Sequence, residues 1–392
     1  MQSTQIDKSA LTRSGIEALR RGEPRKARED FERIVAAGLA DATTCLGLAD
    51  ACRSLEDRAA ALAAVDRALT LEPHNWLALI FKGDHLATGG DTRSASTYYL
   101  QAVNLAPPPE ELPAVTRGEV MRARAACERY AAQFQSFLLE RLATGGFAAE
   151  RSPRRFGHAL DLLFGRRRVY LQQPRYFYYP ELPQVQFFER DAFPWLEKIE
   201  AATAQIREEL LAVLADDAAF TPYVEADPSR PPSDQLGMLG NPAWGAFYLV
   251  KNGSVVAANA DRCPRTMAAM ADVPLARVAT RSPSVLFSLL RPGAHIPPHN
   301  GFVNTRLICH LPLLVPGRCT FRVGNEMRDW VEGRAWVFDD TIEHEAGNRS
   351  DQNRAILLFE VWRPELSDEE RRLVSAMFEA IDGYGAAPAW EI

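Results

Sequence analysis

The sequence predicts a helical-repeat solenoid followed by an antiparallel β-sandwich or barrel with flanking helices. Three observations carry this expectation. A 34-residue period runs through the first 109 residues, Gly- and Pro-containing breaks interrupt the chain near residue 150, and short β-branched and aromatic runs recur after Trp244. At 392 residues the chain exceeds one ordinary core, so two domains are expected.

The period is read from three aligned segments. Gly15, Ala49 and Gly83 coincide, as do Ala27, Ala61 and Ala95, then Phe31, Val65 and Tyr99, then Ile34, Ala68 and Ala102. Small residues stand where two antiparallel helices approach closely, and a large residue fills the space beside them. Pro73 and Pro107 close the second and third units because proline cannot continue a helix. These positions resemble the tetratricopeptide repeat, with units at 8–41, 42–75 and 76–109. Such an array buries a shared core and offers a surface on which a protein partner or substrate protein can dock. Residues 110–150 read as a capping or linking helix, and 151–392 as the second domain.

In that second domain a helix is expected over 194–215. Strands are expected over 246–250, 285–290, 306–314, 320–323, 335–338 and 355–361. Hydrophobic content of 47% and a formal charge of −6 describe a folded soluble protein without a dedicated nucleic-acid surface. Arg166, Arg167 and Arg168 read as a solvated basic cluster. The six cysteines form no CxxC pair, which suggests reduced thiols and, with no apolar leader or membrane-length run, a cytoplasmic protein.

Chemistry is signalled by histidine. Four of the seven histidines lie in one stretch, at His295, His299, His310 and His344, embedded in strand-like sequence where an imidazole needs a partner. The run from Ser288 through His295, His299 and Gly301 leads into Arg306 and His310. Asp339, Asp340 and His344 follow, and Arg354 opens the last apolar strand.

This constellation, with Cys263–Thr266 and Phe177–Pro180, resembles the aspartyl/asparaginyl β-hydroxylase family of iron(II)- and 2-oxoglutarate-dependent oxygenases, over roughly residues 155–365. The resemblance implies a double-stranded β-helix (cupin or jelly-roll) domain. It implies iron(II) held by His299 and His344, with Gly301 at the position where related sites carry a carboxylate. It places the 2-oxoglutarate cosubstrate against Arg354, Ser288 and His310, puts Arg306 on the substrate side, and has dioxygen as co-reactant. Asp340 is expected to orient a ligand imidazole from behind, and an aspartate at 301 would be expected to reach the metal. Ile308 stands where the peptidyl hydroxylases carry a second arginine, which puts an aspartyl-peptide substrate in question. The expected substrate is an aspartyl or asparaginyl unit in a peptide, protein or small molecule. The competing reading is a non-catalytic interaction or ligand-sensing protein built from repeats and a cupin-like domain.

Overall fold

The computed structural model describes residues 6–226, 235–279 and 281–384. The chain divides into two compact units, residues 1–164 and 165–392. The helix at Arg154–Leu163, which the reading above places beyond the join at 150, groups with the first unit.

Unit 1 holds three helical hairpins: α1 (Lys8–Arg20) with α2 (Pro24–Ala36), α3 (Ala42–Ser54) with α4 (Arg58–Leu71), and α5 (Trp76–Thr88) with α6 (Thr92–Leu105). Five of these six helices start on an Asp or Asn whose side chain accepts a hydrogen bond from a first-turn N–H, as Asp41 does from Thr44 at 2.8 Å. Each such cap is worth about 1 kcal/mol. The small–large pairing is the tetratricopeptide-like core. A Cβ on Gly15 would lie 2.7 Å from Phe31 Cζ, and one on Gly83 would lie 2.7 Å from Tyr99 Cε1. Gly15→Ala is therefore expected to lower unfolding free energy by about 1–3 kcal/mol, the usual cost of overpacking. Denaturant unfolding would measure it, and an unchanged midpoint would show that Phe31 can move aside. The long α7 (Ala114–Thr144) buries Val120, Ala123 and Ala126 with Leu79, Ile80 and Tyr99, covering the end of the array. The last helix of the unit is α8 (Arg154–Leu163).

Unit 2 is an antiparallel β-sandwich. Its larger sheet has the order β1 (Thr221–Pro222), β2 (Trp244–Lys251), β4 (Val285–Leu290), β11 (Arg354–Trp362), β6 (Arg306–Leu314), β9 (Trp336–Phe338), with β3 (Ser254–Val255) paired to β2. The smaller sheet has the order β5 (His295–His299), β10 (His344–Asn348), β7 (Cys319–Val323), β8 (Glu326–Met327). This is the expected fold class. The expected helix over 194–215 is two, α9 (Leu196–Ala201) and α10 (Thr203–Leu214), meeting at Ala202. They are followed by α11 (Ala257–Ala260), α12 (Pro264–Met270) and α13 (Asp368–Asp382). Among the described residues no helix is long and apolar enough to cross a membrane, and all six cysteines are free.

Strand β11 organises this unit. Its residues alternate, so Ala355, Leu357, Phe359 and Val361 pack with Ile206, Leu210 and Val213 of α10 in one core. Arg354, Ile356, Leu358 and Glu360 point the other way and line a cavity between the sheets. The cavity floor thus carries a cation at one end and an anion at the other, six residues or roughly 20 Å apart along a strand.

Candidate active site

Two imidazoles face each other across the smaller sheet. His299 and His344 are directly paired in the β5–β10 register, and their ring centroids are 4.1 Å apart. Each ring has Nδ1 against the backbone carbonyl two residues earlier, His299 on Pro297 at 2.7 Å and His344 on Ile342 at 3.2 Å. A carbonyl can only accept, so Nδ1 carries the proton and Nε2 keeps a free lone pair, the tautomer a metal ligand needs. Burial lowers the pKa of both rings, and for His344 the neighbouring His299 lowers it further. Both imidazoles are therefore neutral donors near pH 7. Among the described residues no cluster of three or more His, Cys, Asp or Glu side chains is placed to hold a metal.

One end of the cavity is cationic. Arg354 is 2% exposed, and its Nη1 has no hydrogen-bond partner. Its guanidinium lies 5.2 Å over the Trp330 ring, and no carboxylate contributes to its electrostatics. Burial pulls its pKa down to about 10, which still leaves it charged at neutral pH. Beside it stands His310, stacked on Trp330 at 5.8 Å with its Nδ1 also unpartnered. Burial, then Arg354, drives the His310 pKa far down, so this ring is neutral too. Ser288 accepts a hydrogen bond from Trp244 Nε1 at 3.1 Å, which leaves its own proton to donate. An unpaired buried cation beside further unused polar atoms is costly unless a ligand anion completes it.

Residues 200–364, within this domain, match the family described as Aspartyl/Asparaginyl beta-hydroxylase. The C-terminal domain resembles these β-hydroxylases. Among curated relatives, an aspartate beta-hydroxylase domain-containing protein 2 of Xenopus tropicalis is 31% identical over 54% of this chain and 56% of its own length. An ornithine lipid ester-linked acyl 2-hydroxylase of Rhizobium tropici is 32% identical over 47% of this chain and 63% of its own. The human aspartyl/asparaginyl beta-hydroxylase is 32% identical over 46% of this chain and 23% of its own. The chain thus spans less than two thirds of the length of each.

The eight candidate site residues of the sequence analysis all line a single cavity of this β-hydroxylase-like domain: Ser288, His299, Gly301, Arg306, His310, Asp340, His344 and Arg354. Three of them have surroundings unlike those expected. Asp340 does not orient an imidazole through its side chain. Its Oδ2 accepts from Arg306 Nη1 at 2.8 Å, while its Oδ1 is buried with no partner. Arg306 is not a free receptor for an acidic group, because Glu360 Oε1 also lies 2.7 Å from its Nε. Burial opposes the Arg306 charge, but Asp340 and Glu360 outweigh that and raise its pKa. Glu360 in turn accepts from Ser282 Oγ at 3.0 Å and from the Ser284 N–H at 2.7 Å. Burial raises the Asp340 carboxyl above the usual range, although Arg306 pulls the other way. This carboxylate is short of donors.

Gly301 is required for space. A Cβ there would overlap the Asp340 carboxylate, with even the farther Oδ1 only 2.8 Å away. Its φ is outside the left-handed region, so backbone conformation does not demand glycine. The expectation that Gly301→Asp would add a metal ligand is thus corrected, since that volume already holds Asp340. Gly301→Ala is expected to push Asp340 off Arg306 and to cost about 3–5 kcal/mol, the price of breaking a buried ion pair. Unfolding curves of Gly301→Ala beside Asp340→Asn would check it. A loss below about 1 kcal/mol would mean that Asp340 relocates without strain.

Sequence reasoning missed Trp244, Tyr223 and Glu360. Tyr223 stacks on Trp244 with centroids 3.9 Å apart and planes 10° apart, and both line the cavity. Trp244 is legible only as the start of a strand, and Tyr223 has no sequence signal. Glu360 is a lone acid in the apolar run 355–361, which was itself a signal that it needed a partner.

Proposed function

We propose that this chain is an iron(II)- and 2-oxoglutarate-dependent hydroxylase. The observation that carries the reading is Arg354, a buried cation without a carboxylate, at one end of a cavity whose opposite wall presents two neutral imidazoles. The donor set suits a borderline ferrous ion, and Arg354 suits the distal carboxylate of a dicarboxylic keto acid. When bound, iron with 2-oxoglutarate and dioxygen supplies the oxidising power to replace C–H by C–OH, with succinate and carbon dioxide as coproducts.

The chain's own residues supply placement. His299 and His344 would hold the metal through Nε2, their rings fixed by the Pro297 and Ile342 carbonyls. Arg354 and the Ser288 hydroxyl would anchor the cosubstrate carboxylate, with His310 as a neutral neighbour. The apolar floor at Ile356 and Leu358 keeps water from the space between the ends. The substrate would enter from the side of Tyr223, Tyr248 and Glu360.

The names of the relatives divide the substrate class between an aspartyl or asparaginyl unit and an acyl chain of a lipid. The neutralised Arg306 and the apolar Ile308 favour a carbon that is not flanked by a carboxylate. The repeat array would serve to dock a protein partner or substrate protein.

Anaerobic titration of the full chain with ferrous iron and 2-oxoglutarate tests the reading. The expected result is a weak visible charge-transfer band that saturates with 2-oxoglutarate and needs both components. No band, with the iron bound or not, would favour the non-catalytic ligand-sensing alternative.

A further inference from the structure

The end of the cavity away from Arg354 is acidic. Arg306 carries one positive charge against two carboxylates, Asp340 at 2.8 Å and Glu360 at 2.7 Å. The other cations lining this stretch are engaged, Lys251 with Glu225 at 2.7 Å and Arg281 with Asp382. One negative charge is therefore left over. It is not a surface charge, since Asp340 is 6% exposed and its Oδ1 has no partner. Nor is it remote from the reaction centre, because the Asp340 carboxylate fills the space over Gly301, two residues from His299.

The adjoining wall is aromatic. Tyr223, Trp244 and Tyr248 line the cavity here, and aromatic faces attract cations. The protein already lays one ammonium against this wall, with Lys251 Nζ 5.0 Å from the Tyr248 ring centroid. A carboxylate-bearing substrate would meet a surface of net negative charge, and like charges brought together inside a cavity repel.

We propose that the substrate presents an alkylammonium group, and that Asp340 and Glu360 receive it beside the aromatic wall of Tyr223 and Trp244. The proposal rests on the proposed function for placing the reacting carbon between this end and the imidazoles. The ammonium donates to Asp340 Oδ1, completing the hydrogen bonding of the carboxylate. Arg306 then acts as a positioning residue that holds both acids in place, and it does not itself contact the substrate.

The test is direct binding, measured without iron, 2-oxoglutarate or turnover. N-octanoyl-ornithine amide and N-octanoyl-glutamate amide have side chains of similar length but opposite charge, and share the octanoyl contact. Calorimetry on the full chain is expected to show the ornithine compound binding roughly ten- to hundred-fold tighter, the range for a charge-assisted hydrogen bond. Raising the salt should shrink that preference only modestly, because the acids are buried. Asp340→Asn should bring the two probes towards parity. If that variant fails to unfold cooperatively, the wild-type comparison alone decides the matter. Equal affinity, a preference for the glutamate compound, or no binding of either probe at millimolar concentration would overturn the proposal. Loss of the charge-transfer band with the ornithine preference intact would instead overturn the iron and 2-oxoglutarate reading while leaving the acidic subsite standing.

Discussion

An alanine at position 344 is expected to abolish substrate-dependent formation of succinate from 2-oxoglutarate, and an alanine at 299 to do the same. Under the proposed function His299 and His344 are the two ligands among the described residues, so losing either would leave one imidazole to hold the ion. Removing an outer partner of a metal ligand typically costs about 10–100-fold, and removing a ligand from a pair should exceed that. Both side chains are neutral and hydrogen-bonded only to local backbone, so the fold should survive. The measurement is succinate yield together with the charge-transfer band, with far-ultraviolet dichroism as the control for folding. A variant that keeps near-normal turnover would remove that histidine from the site.

Replacing Arg354 with methionine is expected to weaken 2-oxoglutarate binding and at the same time to stabilise the ligand-free protein. The concentration of 2-oxoglutarate needed for half-saturation should rise roughly ten- to hundred-fold, since a charge-assisted hydrogen bond to a buried carboxylate contributes about 1.5–3 kcal/mol. The ligand-free protein should meanwhile gain stability. Wild-type Arg354 is a desolvated charge without a carboxylate, and an apolar side chain of similar length relieves that penalty. A purely structural arginine would behave the other way, losing stability on substitution while leaving the 2-oxoglutarate requirement unchanged. Arg354→Lys should recover only part of the affinity, because an ammonium cannot offer the planar fork. Thermal unfolding with and without 2-oxoglutarate separates the two effects.

The helical repeats were fully legible because their signal is one-dimensional: each small residue meets a large one sixteen positions later, as Gly15 meets Phe31 and Gly83 meets Tyr99. The longer strands of the larger sheet, β2, β4, β6 and β11, were legible for a similar reason, being long and largely apolar, whereas the two-residue β1 and β3 left no signal. The two strands that carry His299 and His344 had no expected bounds, although their histidines stand near strand-like runs. His295–His299 contains two prolines, and His344–Asn348 contains a glutamate and a glycine, so neither reads as a strand. Pro297 and Pro298 are tolerated because β5 lies at the edge of its sheet.

The candidate residues were singled out from their order along the chain, and the structure gathers them around one cavity, but their partners were not legible. Arg306 is neutralised by Asp340 and Glu360, which arrive from a loop and from another strand, and no local pattern announces that pairing. Gly301 shows the same limit. Its position was read as one without a carboxylate, yet the Asp340 carboxylate fills the space beside it.

The orientation of both imidazoles by the main chain has an evolutionary consequence. Because the Pro297 and Ile342 carbonyls set the rings, no neighbouring side chain has to be retained to keep the lone pairs aimed. The acidic and aromatic residues proposed to receive the substrate, Asp340, Glu360, Tyr223 and Trp244, lie on other segments of the cavity wall. The aromatic wall can change without retuning the proposed metal-binding pair, whereas Asp340 and Glu360, both tied to Arg306, have to change together. Selectivity at the aromatic wall and the proposed chemistry are thus separately mutable, so that part of the wall can drift in small steps.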